Sequence, residues 1–487
     1  MPDRGHGRNG PAGRGLWRDD RTNRRGREQH RPRFGSGASS IVPASAPAYI
    51  AIDADPQSHQ WQTIDELASK FPDKQKAVDS IKQDLSKDGV NWEQDVKPVL
   101  QGELDVVWLD FKNHGRNVVA LMQPKNEAKF REVVAKENKA ETDPSNRAVY
   151  EKFRGWYVLA PDHATIDRFE QESNAAASML AGDKSFKQSM DRLGTDSVVR
   201  AYVNGRFLMK LARQYGGARV QPYIDKVGTL DWIAARLGAT SEGIGFDTIV
   251  HGTPGSLFKG SSKSAAFSPK LLGTVPGDAL VYLSFHGSKG MFNGLAQNPV
   301  MNTPEFRQFA QPLKQIGRVL EGENAIYARP GARIPEVTLV STPSTAGTPI
   351  VDRMVKKFAG SAPEVRSVGG TPVHAMAASG MGLYYADVDG KFVVTDQPQG
   401  ILGVKRSGKS LSDSDEFRQA KDASGMPDKT WSTLYVNIHA GVPYVERLAQ
   451  QHIPAEIARN VKPLRSAVEY AASHTHEIQV TFFLRIK

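Results

Sequence analysis

Apolar residues recur along this chain with two different periods, and the switches between them mark its elements. From Trp61 to Phe71 they fall at Trp61, Ile64, Leu67, Ala68 and Phe71, the spacing of one helix face, and Val78, Ile81 and Leu85 repeat that spacing within Gln75–Leu85. Ala46–Asp53 carries the apolar content of a short buried strand and is entered through two prolines, which a strand tolerates only at its start. Leu104–Leu109 and Val118–Met122 read as strands, with the turn Asn113-His114-Gly115 between them making a hairpin. Helices are then expected at Asn126–Lys136, Asp162–Glu172 and Gly205–Gln214. Strands are expected at Trp156–Ala160, Val198–Val203 and Ile244–Val250.

The opening strand has a second version. Val42-Pro43, Ala46 and Tyr49 are answered by Val275-Pro276, Ala279 and Tyr282, each 233 positions later. Further landmarks follow in the same order: Gly322-Glu323 after Gly102-Glu103, Pro343 after Pro124, Gly390 after Gly155, Phe417 after Phe186, and Tyr435-Val436-Asn437 after Tyr202-Val203-Asn204. In the last strand Ile478, Val480, Phe482 and Leu484 stand 234 positions after Ile244, Phe246, Thr248 and Val250, with Gln479, Thr481 and Arg485 on the opposite face. Duplication with insertions in loops explains this ordered series. Strands in hairpins, set apart from helices, imply the α+β class: two tandem copies of a module with a mainly antiparallel sheet and helices packed on one face. The expected division is a 1–40 tail, a first repeat at 41–252, a Ser/Gly-rich connection at 253–268 and a second repeat at 269–487. Two such repeats would stand side by side or share one extended sheet.

Composition changes this picture only at the N-terminus. The chain has 487 residues and a net charge of +10. Residues 1–40 hold ten arginines against four acids, so +6 belongs to the tail and +4 to everything else. The basic character is therefore no argument for a nucleic-acid groove on the folded body. The tail has almost no apolar residues and is expected to be disordered, with anionic lipid or RNA as its conceivable partners. It contains no apolar run of signal-peptide length, and no transmembrane-length run occurs anywhere in the chain. Cysteine is absent, which excludes disulfides, thiolate metal sites and cysteine nucleophiles.

Two stretches carry candidate chemistry. Gly403 to Ser410 fits the phosphate-loop pattern, in which Gly403 and Gly408 would let backbone N–H groups cradle a nucleotide phosphate, Lys409 would reach its oxygens and Ser410 would ligate Mg²⁺. Its surroundings oppose this. The strand ending at Thr395 stops well short of Gly403, Asp413, Asp415 and Glu416 would repel phosphate, and a helix start near Ser414 is the simpler reading of LSDSDEF. His474 and His476 at the mouth of the last strand would place two imidazoles on one face, a start for zinc or copper without a third ligand. Trp61, Trp92, Trp108 and Trp156 are assigned to cores, and Asn204 and Asn437 to caps of the helices that follow them. No catalytic residue, metal site or cofactor is assigned.

The frame from Val42 to Asp53, followed by Asp55-Pro56, Trp61 and Phe71-Pro72, resembles the opening of the uncharacterised bacterial family catalogued as domain of unknown function 3352. Leu411, Phe417 and Tyr435-Val436-Asn437 resemble its later part, so that the resemblance covers 41–487. It implies no activity, because none is established for the family. It does imply a transmembrane helix just before the Val-Pro opening, and hence a membrane-anchored body outside the cytoplasm. In this chain an Arg-rich stretch stands at that place. The function favoured is a non-catalytic envelope or surface protein acting by binding or as a scaffold, with a membrane-proximal protein or a lipid as partner. The alternatives are a nucleotide- or metal-dependent enzyme using the 403–410 loop or His474 and His476, and an RNA or anionic-membrane binder acting through the tail.

Overall fold

The computed structural model describes residues 37–487 apart from 88, 218–223, 225–227, 254–265, 289–314, 332–333, 344–346, 379–380, 406–407, 450–452 and 475. Nearly all of the expected tail and most of the expected connection lie outside the described residues.

The first half supplies strands β1 (Ala48–Asp53), β2 (Glu103–Trp108), β3 (Val118–Met122), β4 (Val149–Phe153), β5 (Trp156–Ala160), β6 (Val199–Asn204), β7 (Trp232–Thr240) and β8 (Gly243–His251). The second supplies β9 (Val281–Gly287), β10 (Gly322–Arg329), β11 (Glu336–Thr342), β12 (Glu364–Val368), β13 (Thr371–Ala378), β14 (Met381–Val388), β15 (Lys391–Thr395), β16 (Ser432–Asn437), β17 (Leu464–His474) and β18 (Glu477–Ile486). Helices α1 (His59–Ala68), α2 (Lys74–Lys87), α3 (Glu127–Ala140), α4 (His163–Ala175), α5 (Lys184–Leu193) and α6 (Gly205–Tyr215) belong to the first half. The second half has α7 (Gly347–Ala359), α8 (Pro398–Lys405), α9 (Asp415–Ser424), α10 (Ile438–Ala449) and α11 (Ala455–Val461). The protein is α+β.

All eighteen strands join one antiparallel sheet. Its spatial order is β4-β5-β3-β2-β1-β6-β7-β8-β18-β17-β16-β9-β10-β11-β15-β14-β13-β12. Of the two arrangements open to the sequence, the shared sheet is the one observed. Read outward from the β8–β18 seam, both halves have the same succession up to the hairpin β12–β13, which extends only the second. The registers agree as well. Tyr49 stands opposite Val107 and Tyr202, and Tyr282 stands opposite Tyr327 and Tyr435. Phe186 of α5 meets the rings of Tyr49 and Tyr202 edge-on at 5.3 Å each, and Phe417 of α9 meets Tyr282 and Tyr435 at 6.2 and 5.1 Å. Two matching hairpins turn through left-handed pairs, Arg154-Gly155 and Asp389-Gly390, which explains the glycine before each following strand.

Helices pack on both faces, not on one as expected from the sequence. Neighbouring residues of a strand point to opposite sides. Val158 joins the core under α4 and α5, whereas Tyr157 joins Phe130 and Val134 of α3 in a separate cluster. In the second half Val393 packs with Ile401 of α8, and Phe392 with Ile350 and Val355 of α7. The second face thus has its own roofs, α3 at one end of the sheet and α7 towards the other.

Several sequence expectations need correcting. Ala38 and Ser39, placed in the tail, are buried, and Gly37 sits against the Trp156 ring with its N–H on Glu103 Oε1 at 3.2 Å. Residues 37–39 therefore belong to the folded body and not to a tail. Helix α2 has the expected amphipathic spacing, yet none of its residues is buried and Ile81 is exposed. Strands β4, β7, β12, β13, β14 and β17 are additions to the sequence expectation; β7 and β17 mix small and charged residues and β12 is almost wholly exposed.

At the seam, Asp247 stands opposite Thr481 and Phe246 opposite Phe482. The helix-side face here is polar. Arg236 Nε donates to Asp247 Oδ2 at 2.8 Å, both side chains being buried, and the Thr481 hydroxyl donates to Asp247 Oδ1. The apolar side chains Phe246, Val480 and Phe482 lie on the other face and remain partly exposed.

Candidate apolar ligand site

The two roofed ends of the second face are built on the same strand register and filled differently. In the first half, Met122 stands opposite Leu104 and Tyr157, and Tyr150 stands opposite Leu159. Phe130 of α3 drops between the strands' rings, with centroids 5.4 Å from Tyr150 and 4.7 Å from Tyr157. Side chains occupy that end completely enough for Phe130 to be 3% exposed. Helix α3 is pinned as well: Lys129 and Lys136 hold the Asp95 carboxylate at 2.8 and 3.0 Å. With Lys129, the Asn91 N–H and Lys136 bound to it, that carboxyl lies well below the usual range.

In the second half, Ser341 stands opposite Asn324 and Phe392, and Tyr385 opposite Val394. The roof helix α7 approaches the floor closely at its start, where a Cβ on Gly347 would collide with the Phe392 ring. One turn on it presents Ile350, Val351, Met354 and Val355, and the position four residues into the helix, Phe130 in α3, is Ile350 here. A cavity of about 540 Å³ remains. Its walls are Ile316, Val319 and Leu320 from the stretch before β10, Val351, Met354 and Val355 from α7, and Leu339, Met376, Leu383, Phe392 and Val394 from the sheet. Every one of these residues is apolar. The volume falls within the range of small-molecule sites, and such a lining offers dispersion contact and water exclusion but no acid, base or nucleophile.

Beside this site a polar cluster ties α7 to the sheet. The Tyr385 hydroxyl donates to Asp352 Oδ1 at 2.7 Å, and His374 Nδ1 lies 2.8 Å from the same oxygen. Burial pushes the Tyr385 phenol up, and the Asp352 contact adds to it. This cluster fixes the roof helix without reaching the cavity lining.

The phosphate-loop residues do come together, around a second cavity lined by Gly403, Gly408, Lys409 and Ser410 with Asp278, Arg329, Asp413 and Asp415. Their geometry is that of a clasp. Gly403 lies inside α8 and not at the exit of a strand. Ser410 donates its hydroxyl to Asp413 Oδ2 at 2.6 Å and its N–H to the same oxygen at 3.1 Å, while the Lys409 carbonyl accepts from Gly277 N–H at 2.9 Å. Ser410 bridges to Pro276, as Met179 bridges to Pro43 in the first half. Leu411 and Leu180 donate to Val275 and Val42 at 2.7 Å in both. The stretch therefore fastens the Val-Pro opening to the helix that follows. The helix near Ser414 is present as α9, with Ser414 at its N-cap position.

His474 ends β17, whereas His476 lies in the hairpin turn with φ +64, so the two do not share a strand face. Among the described residues no group of three metal-ligating side chains is found. Asn204 and Asn437 accept from the N–H groups of Phe207 and Ala440 at 3.1 and 3.0 Å, as caps do. Trp156 is buried as expected, but Trp61 is 38% exposed and lines a third cavity with Trp92, Asp53 and Glu66, its indole N–H held by the Asp53 carbonyl at 2.8 Å. Sequence reasoning did not find the apolar cavity. Its only trace is the helical spacing of Ile350, Val351, Met354 and Val355, which looks the same above a filled core as above an empty one.

Fold and site together define an α+β protein with one long antiparallel sheet and an apolar chamber under one end. The chain belongs to the family described as protein of unknown function DUF3352, which it matches over residues 24–320. The match thus begins inside the Arg-rich stretch and covers less of the second half than the resemblance implied. No curated protein matches. Among solved structures, crystal forms III and IV of TP0453 are similar at 14% and 16% identity, covering 44% and 46% of this chain and 78% and 82% of that one, with TM-scores of 0.26 and 0.24. Among the described residues, no helix is long and apolar enough to cross a membrane.

Proposed function

We propose that this chain is a non-catalytic binding protein of the bacterial envelope or surface, and that it holds an apolar ligand in the chamber under α7. The observation that carries this reading is the chamber's lining, which among the described residues is eleven apolar side chains and no polar one. The placement in the envelope rests on the family resemblance of the sequence. We further propose that the body is one module used twice, 41–252 and 269–487 joined through 253–268. The common strand order and the matching registers of Tyr49 and Tyr282 support that reading. In the proposed history one copy kept a filled end and the other opened it.

The test is binding of an environment-sensitive naphthylamine dye to the full chain and to a Val351→Trp variant, Val351 being one of the α7 residues that line the chamber. Dye emission is expected to rise and shift to the blue with the native chain. The response should fall at least about tenfold in affinity when the indole fills the chamber, since the dye then has no volume to enter. Equal binding by both proteins would remove the chamber from consideration.

A further inference from the structure

We infer that the chamber's ligand is an anionic amphiphile: an acyl chain seated among the apolar residues, with a negatively charged head at the outer surface of its roof. This rests on the reading of the chamber as a ligand site and adds the chemistry of the head group.

The roof helix carries the argument. Within α7, the residues facing the chamber are Val351, Met354 and Val355, and interleaved with them the exposed positions include Arg353 and Lys356. The only acid in α7 is Asp352, and its carboxylate is already engaged by the Tyr385 hydroxyl and the His374 ring. The second wall repeats the arrangement. Residues 315–319 are helical, Ile316 and Val319 line the chamber, and Arg318 between them is exposed. Among the described residues of that wall, the acid is Glu321, just beyond Leu320. Both lining elements therefore turn apolar side chains inward and guanidinium or ammonium groups outward.

The filled end makes the contrast. In α3 the lysines Lys129 and Lys136 are spent on Asp95 and Glu132. A plain hydrocarbon would use the apolar lining and gain nothing from Arg318, Arg353 and Lys356. A carboxylate or phosphate head on the same chain would gain charge-assisted hydrogen bonds while its tail is desolvated. A cationic head would be repelled.

The experiment is displacement of the bound naphthylamine dye from the full chain by four competitors: oleate, oleyl alcohol, lysophosphatidylglycerol and lysophosphatidylcholine. Each is measured on the native chain, on the double variant Arg353→Glu/Lys356→Glu, and on Arg318→Glu as a second variant that perturbs a different element. Unfolding midpoints establish that the variants are folded. The anionic competitors are expected to act at concentrations about tenfold lower than the neutral and zwitterionic ones, and charge reversal should abolish that difference without weakening oleyl alcohol. Preference for oleate over lysophosphatidylglycerol would mark a free fatty acid as the source of the head, and the reverse a phospholipid; both sustain the inference. Equal potency of oleate and oleyl alcohol on the native chain would overturn it and leave the chamber as an apolar site. Failure of every competitor would overturn both.

Discussion

The two roofed ends of the sheet share strand order and register and differ in the side chains that fill them. Under α3, Phe130 closes against Tyr150 and Tyr157; under α7, Ile350 packs with Phe392 and Tyr385, and the volume beside it, below Val351, Met354 and Val355, stays open. Strand order and register are the same beneath both. A fold of this kind holds its shape whether or not an end is filled, because the sheet is fixed by hydrogen bonds and by the core on its other face. The second face is then open to variation. One side chain at the centre of a roof decides whether that end adds to stability or offers a volume to a ligand.

The comparison can be broken most forcefully at Phe130. Phe130→Ala should cost about 3–5 kcal/mol in unfolding by denaturant and create dye binding at the first end. A loss below about 1 kcal/mol would mean that the ring is not the filler it looks to be. The seam offers a second large effect. Asp247→Ala leaves the buried Arg236 guanidinium without its carboxylate and should cost about 3–5 kcal/mol. Arg236→Tyr with Asp247→Thr copies Tyr470 and Thr481, the pair facing each other across β17 and β18, and should recover most of that loss.

The pinning of α3 is expected to show in acid. The depressed Asp95 carboxyl contributes stability that is fully present above the unfolded carboxyl pKa of about 3.9 and is lost as the pH falls below it. Native and Asp95→Asn chains should therefore differ in unfolding midpoint at neutral pH, and the gap should begin to narrow as the pH falls below about 3.9 and close only below the depressed folded value. A gap that is unchanged in acid would remove the ion cluster from the account. Smaller still, Val351→Phe should raise the stability of the ligand-free chain by about 0.5–2 kcal/mol while weakening dye binding, which sharpens the contrast from the hollow side. The smallest effect is expected at Lys409. Its exposed side chain lies beside a clasp made by backbone groups, so Lys409→Ala should change stability by less than about 0.5 kcal/mol, and ATP with Mg²⁺ should leave the midpoint unmoved. Protection by ATP would return the 403–410 stretch to the nucleotide sites.

What was legible in the sequence were features written by local periodicity. The 233-residue spacing of Tyr49 and Tyr282, the caps at Asn204 and Asn437, and the α+β class all follow from patterns within a few residues of each position. The alternation from Ile244 to Val250 marked a strand with one buried face. It did not announce that the partner would be the last strand of the chain, because pairing between residues more than two hundred apart is decided by which edges remain open once each half has folded.

The polar residues of β7 hid that strand for a related reason. Arg236 reads as solvent-facing until Asp247 and the Leu193 carbonyl are brought around it by tertiary packing. Ser410 and Lys409 satisfied a pattern of letters, and only the structure showed the Ser410 hydroxyl committed to Asp413. The chamber was beyond any reading of periodicity. A helix stripe such as Ile350, Val351, Met354 and Val355 states that a face will be buried. Whether the space below is closed depends on side-chain volumes contributed by α7, β11, β13, β14 and β15 together, and volume in three dimensions has no one-dimensional period.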